Sequence, residues 1–199
     1  MTPLPTIATP RLRLRASDPA FAEAAADFYL RNRQAHARWN PPLPEAMFSV
    51  DGQRERLAEA ATAATVGTGV GWWLFASDEP GVAIGQIHFT QIARRAFCNA
   101  MIGYAIDAER EGRGLMREAL QAALTEAFSP PVQLHRVQAN VRPENTRSLA
   151  LLSRLGFERE GLARQYLFID GAWRDHVMTA LLNPAWPVDR APAADAARR

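Results

Sequence analysis

Arg11-Leu12-Arg13-Leu14-Arg15 alternates charged and apolar residues without a break, the period-two pattern of a strand buried on one face. Asp18-Pro19 follows. Asp can accept from the first helical N–H groups and Pro has the φ that suits a first turn, so a helix is predicted from here to about Arg33. Pro41, Pro42 and Pro44 mark a loop, and Asp51 opens a second, alanine-rich helix that ends near Gly67. Val70 to Ser77 and Val82 to Gln91 read as strands joined by a turn at Asp78-Glu79-Pro80-Gly81. An apolar run from Ile102 to Ile106 predicts a further strand, and Leu115 to Phe128 carries an unbroken helical pattern. After the Ser129-Pro130-Pro131 break come a strand from Arg136 to Val141 and a helical run from Asn145 to Gly156. Arg164 to Ile169 and Asp175 to Leu182 read as a hairpin about Asp170-Gly171.

This order predicts an α/β protein of the α+β type, with helices flanking one mixed sheet. Residues 1–8 are read as an N-terminal extension, 9–182 as one domain, and 183–199 as a loose tail rich in proline and alanine. At 199 residues, 48% of them hydrophobic and 22% charged, the chain has material for one substantial core. The net charge of +2 gives no electrostatic reason to expect nucleic-acid binding. Cys98 is the single cysteine, so no internal disulfide can form, which suits a reducing cytoplasm. No apolar run approaches the roughly 20 residues that span a bilayer, so no membrane association is expected. No histidine pair has metal-ligand spacing with partners, and no metal is predicted.

The chemistry concentrates at Ile102 to Met116, IGYAIDAEREGRGLM. A strand leads to Gly112-Arg113-Gly114, and a helix starts at Leu115-Met116. Glycine permits positive φ and close approach, and the free N–H groups of the first helical turn attract an anion. Arg110 and Arg113 add positive charge. Downstream lie Asn145-Thr146-Arg147-Ser148 and LALLSRLGF. The combination R-x-x-G-x-G, strand, N-x-x-S-x-x-L-L-x-x-x-G-F resembles the GNAT superfamily of N-acetyltransferases.

That resemblance implies a mostly antiparallel sheet that splays open to admit acetyl-CoA. The glycine loop (Gly112, Arg113, Gly114, Leu115, Met116) would hold the pyrophosphate, and Tyr104, Ala105 and Ile106 would pair with pantetheine. Asn145 falls where the family has a side chain near the pantetheine arm. Glu109 departs from the usual Gln or Arg of the loop. Leu152 stands where many members carry a tyrosine acid, which puts more weight on Ser148 as the proton donor to the leaving sulfur.

The base is less sharply indicated. Gln86 and His88 share one face of their strand, opposite Ile87 and Phe89, and imidazole titrates near neutrality. His88 is therefore the candidate base, with a structural role as the alternative; Glu144, His36, His135 and His176 rank lower. Tyr29, Trp39, Trp72 and Trp73 are candidate walls of a substrate groove, with core packing as the default reading, above all for Trp72-Trp73. If Trp72-Trp73 lies in a strand, the two rings point to opposite faces, and at most one lines it.

The opening Thr9 to Arg15 and the block Leu134 to Val141, Glu158 to Gly161 and Ile169 to His176 resemble ribosomal-protein-alanine N-acetyltransferases of the RimJ and RimL type. This implies acetylation of the N-terminal alanine of a ribosomal protein. Alternatives are a small-amine acetyltransferase and a coenzyme A-binding regulatory module without turnover.

Overall fold

The computed structural model describes residues 4–187. The strands are β1 (Ile7–Ala8), β2 (Leu12–Ala16), β3 (Val70–Ala76), β4 (Glu79–Ala93), β5 (Asn99–Ile106), β6 (Arg136–Val141), β7 (Glu158–Ile169) and β8 (Ala172–Leu182). They form one mixed sheet in the order β1-β2-β3-β4-β5-β6-β8-β7. Neighbours pair antiparallel except β5 and β6, which run parallel. Four α-helices flank it: α1 (Ala22–Ala37), α2 (Val50–Val66), α3 (Leu115–Phe128) and α4 (Thr146–Arg154). The mixed, mostly antiparallel architecture is the one the sequence predicted.

Two apolar layers sandwich the sheet. On one face Leu115, Met116, Ala119, Leu120, Ala123, Leu124 and Ala127 of α3 and Leu152 of α4 pack on Trp72, Ile87, Phe89, Ile102, Val137 and Ala139. The α3 residues recur at helical spacing, so one stripe meets the strands. On the other face Phe28 and Tyr29 of α1 and Leu57 of α2 pack on Trp73, Phe75 and Ala83. The adjacent tryptophans do point to opposite faces. Both are almost wholly buried, so each is core, including Trp73 on the groove side.

Local differences from the sequence reading have plain causes. Asp18 caps a short 3-10 turn, Pro19–Phe21, its carboxylate accepting from the Ala20 N–H at 2.8 Å. The helix proper then continues past Arg33 to Ala37 because no proline intervenes before Pro41. Ser49 caps α2 one residue earlier than expected, and Gly67 ends it in the left-handed conformation (φ +78°). The predicted turn at Asp78-Glu79-Pro80-Gly81 is tighter. Glu79 already pairs with Ala76, and β4 runs from there. The sheet begins at Ile7, inside the segment read as an extension. At the other end Asn183 is buried, donating to the carbonyls of Phe128 and Leu134. Residues 188–199 of the predicted tail, and residues 1–3, lie outside the described residues.

Candidate active site

The sheet opens between β5 and β6. Asn99, Ala100 and Met101 pair with Arg136, Val137 and Gln138, and the pairing stops there. Ile102 to Ile106 on one strand and Ala139 to Val141 on the other diverge. Peptide groups alternate sides along a strand, which tells which of them face the gap. The Asp107 N–H donates to Ile84 O at 2.8 Å, and a Cβ placed on Gly85 would lie 2.7 Å from Ala105 O. Odd-numbered residues therefore turn their main chain toward β4. Ile102, Tyr104 and Ile106 turn theirs toward the gap. Of the three residues expected to pair with a ligand through their backbone, Tyr104 and Ile106 are so oriented and Ala105 is not. His36 Nε2 meets the Ile106 carbonyl at 2.9 Å, a contact made possible by the longer α1.

Beyond β5 the chain makes the glycine loop. Gly112 and Gly114 have φ of +75° and +76°, a region costly for side-chain-bearing residues. A Cβ on Gly112 would meet nothing within 4 Å, so the loop is open there. Gly114 is the N-cap of α3 and no side chain caps that terminus. The first-turn N–H groups are thus available to an anion. The Leu115 and Met116 side chains are buried in the core, which leaves only their main chain for a ligand. The two arginines are engaged: Arg110 with Glu79, and Arg113 with the Glu109 carbonyl at 3.0 Å.

A clamp from the turn between β1 and β2 fixes this loop. Glu118 of α3 accepts from the Thr9 hydroxyl (2.6 Å), the Arg11 N–H (2.9 Å) and Arg11 Nε (2.7 Å), while Arg11 Nη1 donates to Arg113 O at 2.9 Å. Burial alone would raise the Glu118 carboxyl, but these hydrogen bonds and the Arg11 charge together hold it below its usual range.

Asn145 is the N-cap of α4, its Oδ1 accepting from the Ser148 N–H at 3.1 Å. The Ser148 hydroxyl lies 2.6 Å from the Tyr104 hydroxyl. This joins the start of α4 to the strand at the gap. Leu152, where a tyrosine is common in the superfamily, is packed in the core.

On the opposite face the polar groups come from five elements. Gln86 Nε2 donates to the Tyr29 hydroxyl (2.6 Å), and Arg56 of α2 donates to both Tyr29 (3.0 Å) and Gln86 Oε1 (2.8 Å). His88, two residues along β4, lies against the bare Cα of Gly103, where a Cβ would sit 2.3 Å from its Nε2. Burial, aided by the Arg56 charge, pushes His88 down to about 4, so the ring is neutral at neutral pH. Among the described residues its Nδ1 is buried without a hydrogen-bond partner. Across the gap Asn140 of β6 donates to the Tyr166 hydroxyl at 2.8 Å. Tyr166 reaches it from a bulge between Ala163 and Leu167 of β7, the kind of irregularity that re-aims a side chain.

Trp39 belongs to the loop after α1, with the Arg38 guanidinium 4.4 Å and that of Arg142 5.6 Å from its ring centroid. Arg142 is itself buried and donates to the Arg38 carbonyl at 2.5 Å. The His176 ring packs tilted against that of Tyr166, with centroids 5.2 Å apart, and burial lowers its pKa. Glu144 is an exposed partner of Arg142, and His135 packs on Trp186. Arg11, Arg56, Gly103, Asn140 and Tyr166 were missed in the sequence. Gly103, beside Tyr104, was the nearest to a signal. Among the described residues no group of three or more His, Cys, Asp or Glu side chains converges to hold a metal ion. None of their helices is long and apolar enough to cross a membrane.

An open glycine loop at an uncapped helix thus lies beside a gap between two strands of the sheet. Residues 11–158 match the acetyltransferase (GNAT) domain family, and the chain belongs to that family. It is a GNAT-type acetyltransferase. It is 39% identical over 184 residues to the [ribosomal protein uS5]-alanine N-acetyltransferase of Escherichia coli, covering 92% of this chain and 94% of that one. The ribosomal-protein-S5-alanine acetyltransferase from Vibrio fischeri superposes with a TM-score of 0.88 at 30% identity, over 92% of this chain and 100% of that one. RimJ from Mycobacterium smegmatis, in complex with CoA-disulfide, gives 0.79 at 32%, over 86% and 81%.

Proposed function

We propose that this protein uses acetyl-CoA to acetylate the N-terminal alanine, or another small first residue, of a ribosomal protein in the cytoplasm. The observation that carries this reading is the 39% identity to the E. coli uS5-alanine enzyme across nearly the full length of both chains. Acetyl-CoA supplies the activated acetyl group. The main-chain N–H groups of Gly112 to Met116 bind its pyrophosphate, and Tyr104 and Ile106 offer backbone groups to its pantetheine arm. Asn145 serves mainly to fix the α4 turn that presents Ser148. The Ser148 hydroxyl donates to the departing sulfur.

On the acceptor face, neutral His88 accepts a hydrogen bond from the incoming amine. With its pKa near 4 it is a weak base, which suits an amine that sheds its proton readily. A peptide α-amine, with a pKa near ~8 against ~10.4 for lysine, is such an amine. No covalent enzyme intermediate is needed, because holding both reactants in one cleft supplies much of the rate.

Peptides differing only in a free Ala, free Ser or blocked N-terminus, each with one internal lysine, test the reading. Fragmentation mass spectrometry after incubation with acetyl-CoA should place the acetyl group on the free Ala α-amine, with Ser next. Lysine modification in the blocked peptide at the free-Ala rate would overturn it.

A further inference from the structure

We propose that Tyr104 is a positioning residue for Ser148, its phenol donating to Ser148 Oγ so that the serine's own proton points at the leaving sulfur. This rests on the reading of Ser148 as proton donor.

The geometry is specific. A serine in the first turns of a helix ordinarily satisfies its hydroxyl on nearby backbone. Here the contact made by Ser148 Oγ is the Tyr104 hydroxyl at 2.6 Å, across 44 residues of sequence. Both partners are held. Asn145 Oδ1 fixes the Ser148 amide at 3.1 Å. Tyr104 sits on β5 opposite Ile87 of β4, beyond the last residue of β5 that pairs with β6. The tyrosine side chain therefore stands beside the gap, packed against the larger core.

Which hydroxyl donates follows from acidity. Phenol is the stronger acid and hence the better donor to an alcohol oxygen. Burial pushes the Tyr104 phenol up to about 12, outweighing the opposite pull of the Ser148 hydrogen bond, so Tyr104 keeps its proton throughout the neutral range. With Ser148 Oγ accepting from Tyr104, the single serine proton is left to point elsewhere. When the C–S bond breaks, its electron pair goes to sulfur and the Ser148 proton moves to that sulfur. The proton shed by the attacking nitrogen returns to Ser148 Oγ through water. Tyr104 ends the cycle unchanged.

The test is a double-mutant cycle on single-turnover acetyl transfer to a free-Ala peptide, using wild type, Tyr104→Phe, Ser148→Ala and the double variant. Ser148→Ala should slow the chemical step by roughly 10²-fold, the lower end for a general acid. Tyr104→Phe should slow it roughly tenfold, as loss of one orienting hydrogen bond predicts. The double variant should be no slower than Ser148→Ala, and Kd for acetyl-CoA should stay constant across the set. If Tyr104→Phe slows both backgrounds equally, or neither, the coupling is absent and the proposal is overturned. Near-normal turnover by Ser148→Ala would instead sink the underlying role of Ser148, and the Tyr104 inference with it. Ring-fluorinated tyrosine at position 104 provides a second variant that keeps the contact and strengthens the donor. It should raise the rate with Ser148 present and leave the Ser148→Ala background unchanged; no change in either background overturns the proposal.

Discussion

Around Gly112 and Gly114 the groups turned outward are main-chain N–H groups at one helix end. Across the sheet the polar groups are side chains of Tyr29, Arg56, Gln86, Asn140 and Tyr166, hydrogen-bonded among themselves and drawn from five separate elements. The difference follows from what each side binds in the proposed reaction. A pyrophosphate is the same in every cycle, and a backbone cradle with a helix dipole recognises it whatever the neighbouring side chains are. A protein N-terminus differs between substrates, and side chains are what evolution can exchange to read it. Damage to the two sides should therefore separate cleanly in kinetics.

Gly114→Val should give the largest separation. The Cβ itself has room, its nearest neighbour being Arg11 Nη2 at 3.6 Å, but a β-branched residue at φ +76° is strained. Forcing the residue out of that conformation tilts the first N–H groups of α3 away from the anion. At about 1–3 kcal/mol for such strain, acetyl-CoA binding should weaken by roughly 10- to 100-fold in a protein that still folds. Calorimetry alongside circular dichroism measures both. Unchanged affinity in the folded variant would remove the glycine loop from the donor site.

Arg56→Met is the matching change on the other side. It removes the donors that hold Gln86 and Tyr29 at 2.8 and 3.0 Å while keeping apolar bulk beside Trp73. At roughly 1 kcal/mol per hydrogen bond, KM for the free-Ala peptide should rise about tenfold. Kd for acetyl-CoA should stay within about twofold of wild type. A comparable loss in both would show that the two faces of the sheet are not independent.

The same contrast explains what was legible in the sequence. The helix from Leu115 to Phe128 and the strand from Arg136 to Val141 have the bounds their patterns predicted, because period and punctuation are local. The glycine loop was legible for the same reason: strand, glycines and helix start lie within fifteen residues. Ser148 and Asn145 entered through a motif, and the structure adds the contact to Tyr104 that no spacing could announce. Arg56 and Tyr166 were invisible because their partners are 27 to 30 and 26 residues away. Strand alternation puts His88 on the face of Gln86, opposite Ile87 and Phe89, and the structure has it there. Its neutrality was not foreseeable, since that comes from burial against Gly103 and the charge of Arg56. Trp73 takes the core role that was its default rather than that of a groove wall, because the α1 aromatics Phe28 and Tyr29 cover it.

The smallest expected effect concerns acid, and it too should belong to one side. His88 is held near 4 by burial and by Arg56, and His176 is lowered chiefly by burial. In the unfolded chain both titrate near ~6.5. Between those values the unfolded state binds more protons than the folded one, so stability falls as pH drops from about 6.5 toward 4. The carboxylates with lowered values, Glu118, Glu144 and Glu160, act the same way only below the ordinary carboxylate range of ~4.5. They therefore add little above pH 5, and residues Gly112 to Met116 contain no group that titrates in this window. The thermal midpoint should drop by a few degrees from pH 7 to pH 5, and His88→Gln should lose a smaller amount over the same interval, leaving the His176 share. An identical drop in wild type and His88→Gln would mean that His88 charges freely in the folded protein, and that the acceptor face is wetter than its packing against Gly103 implies.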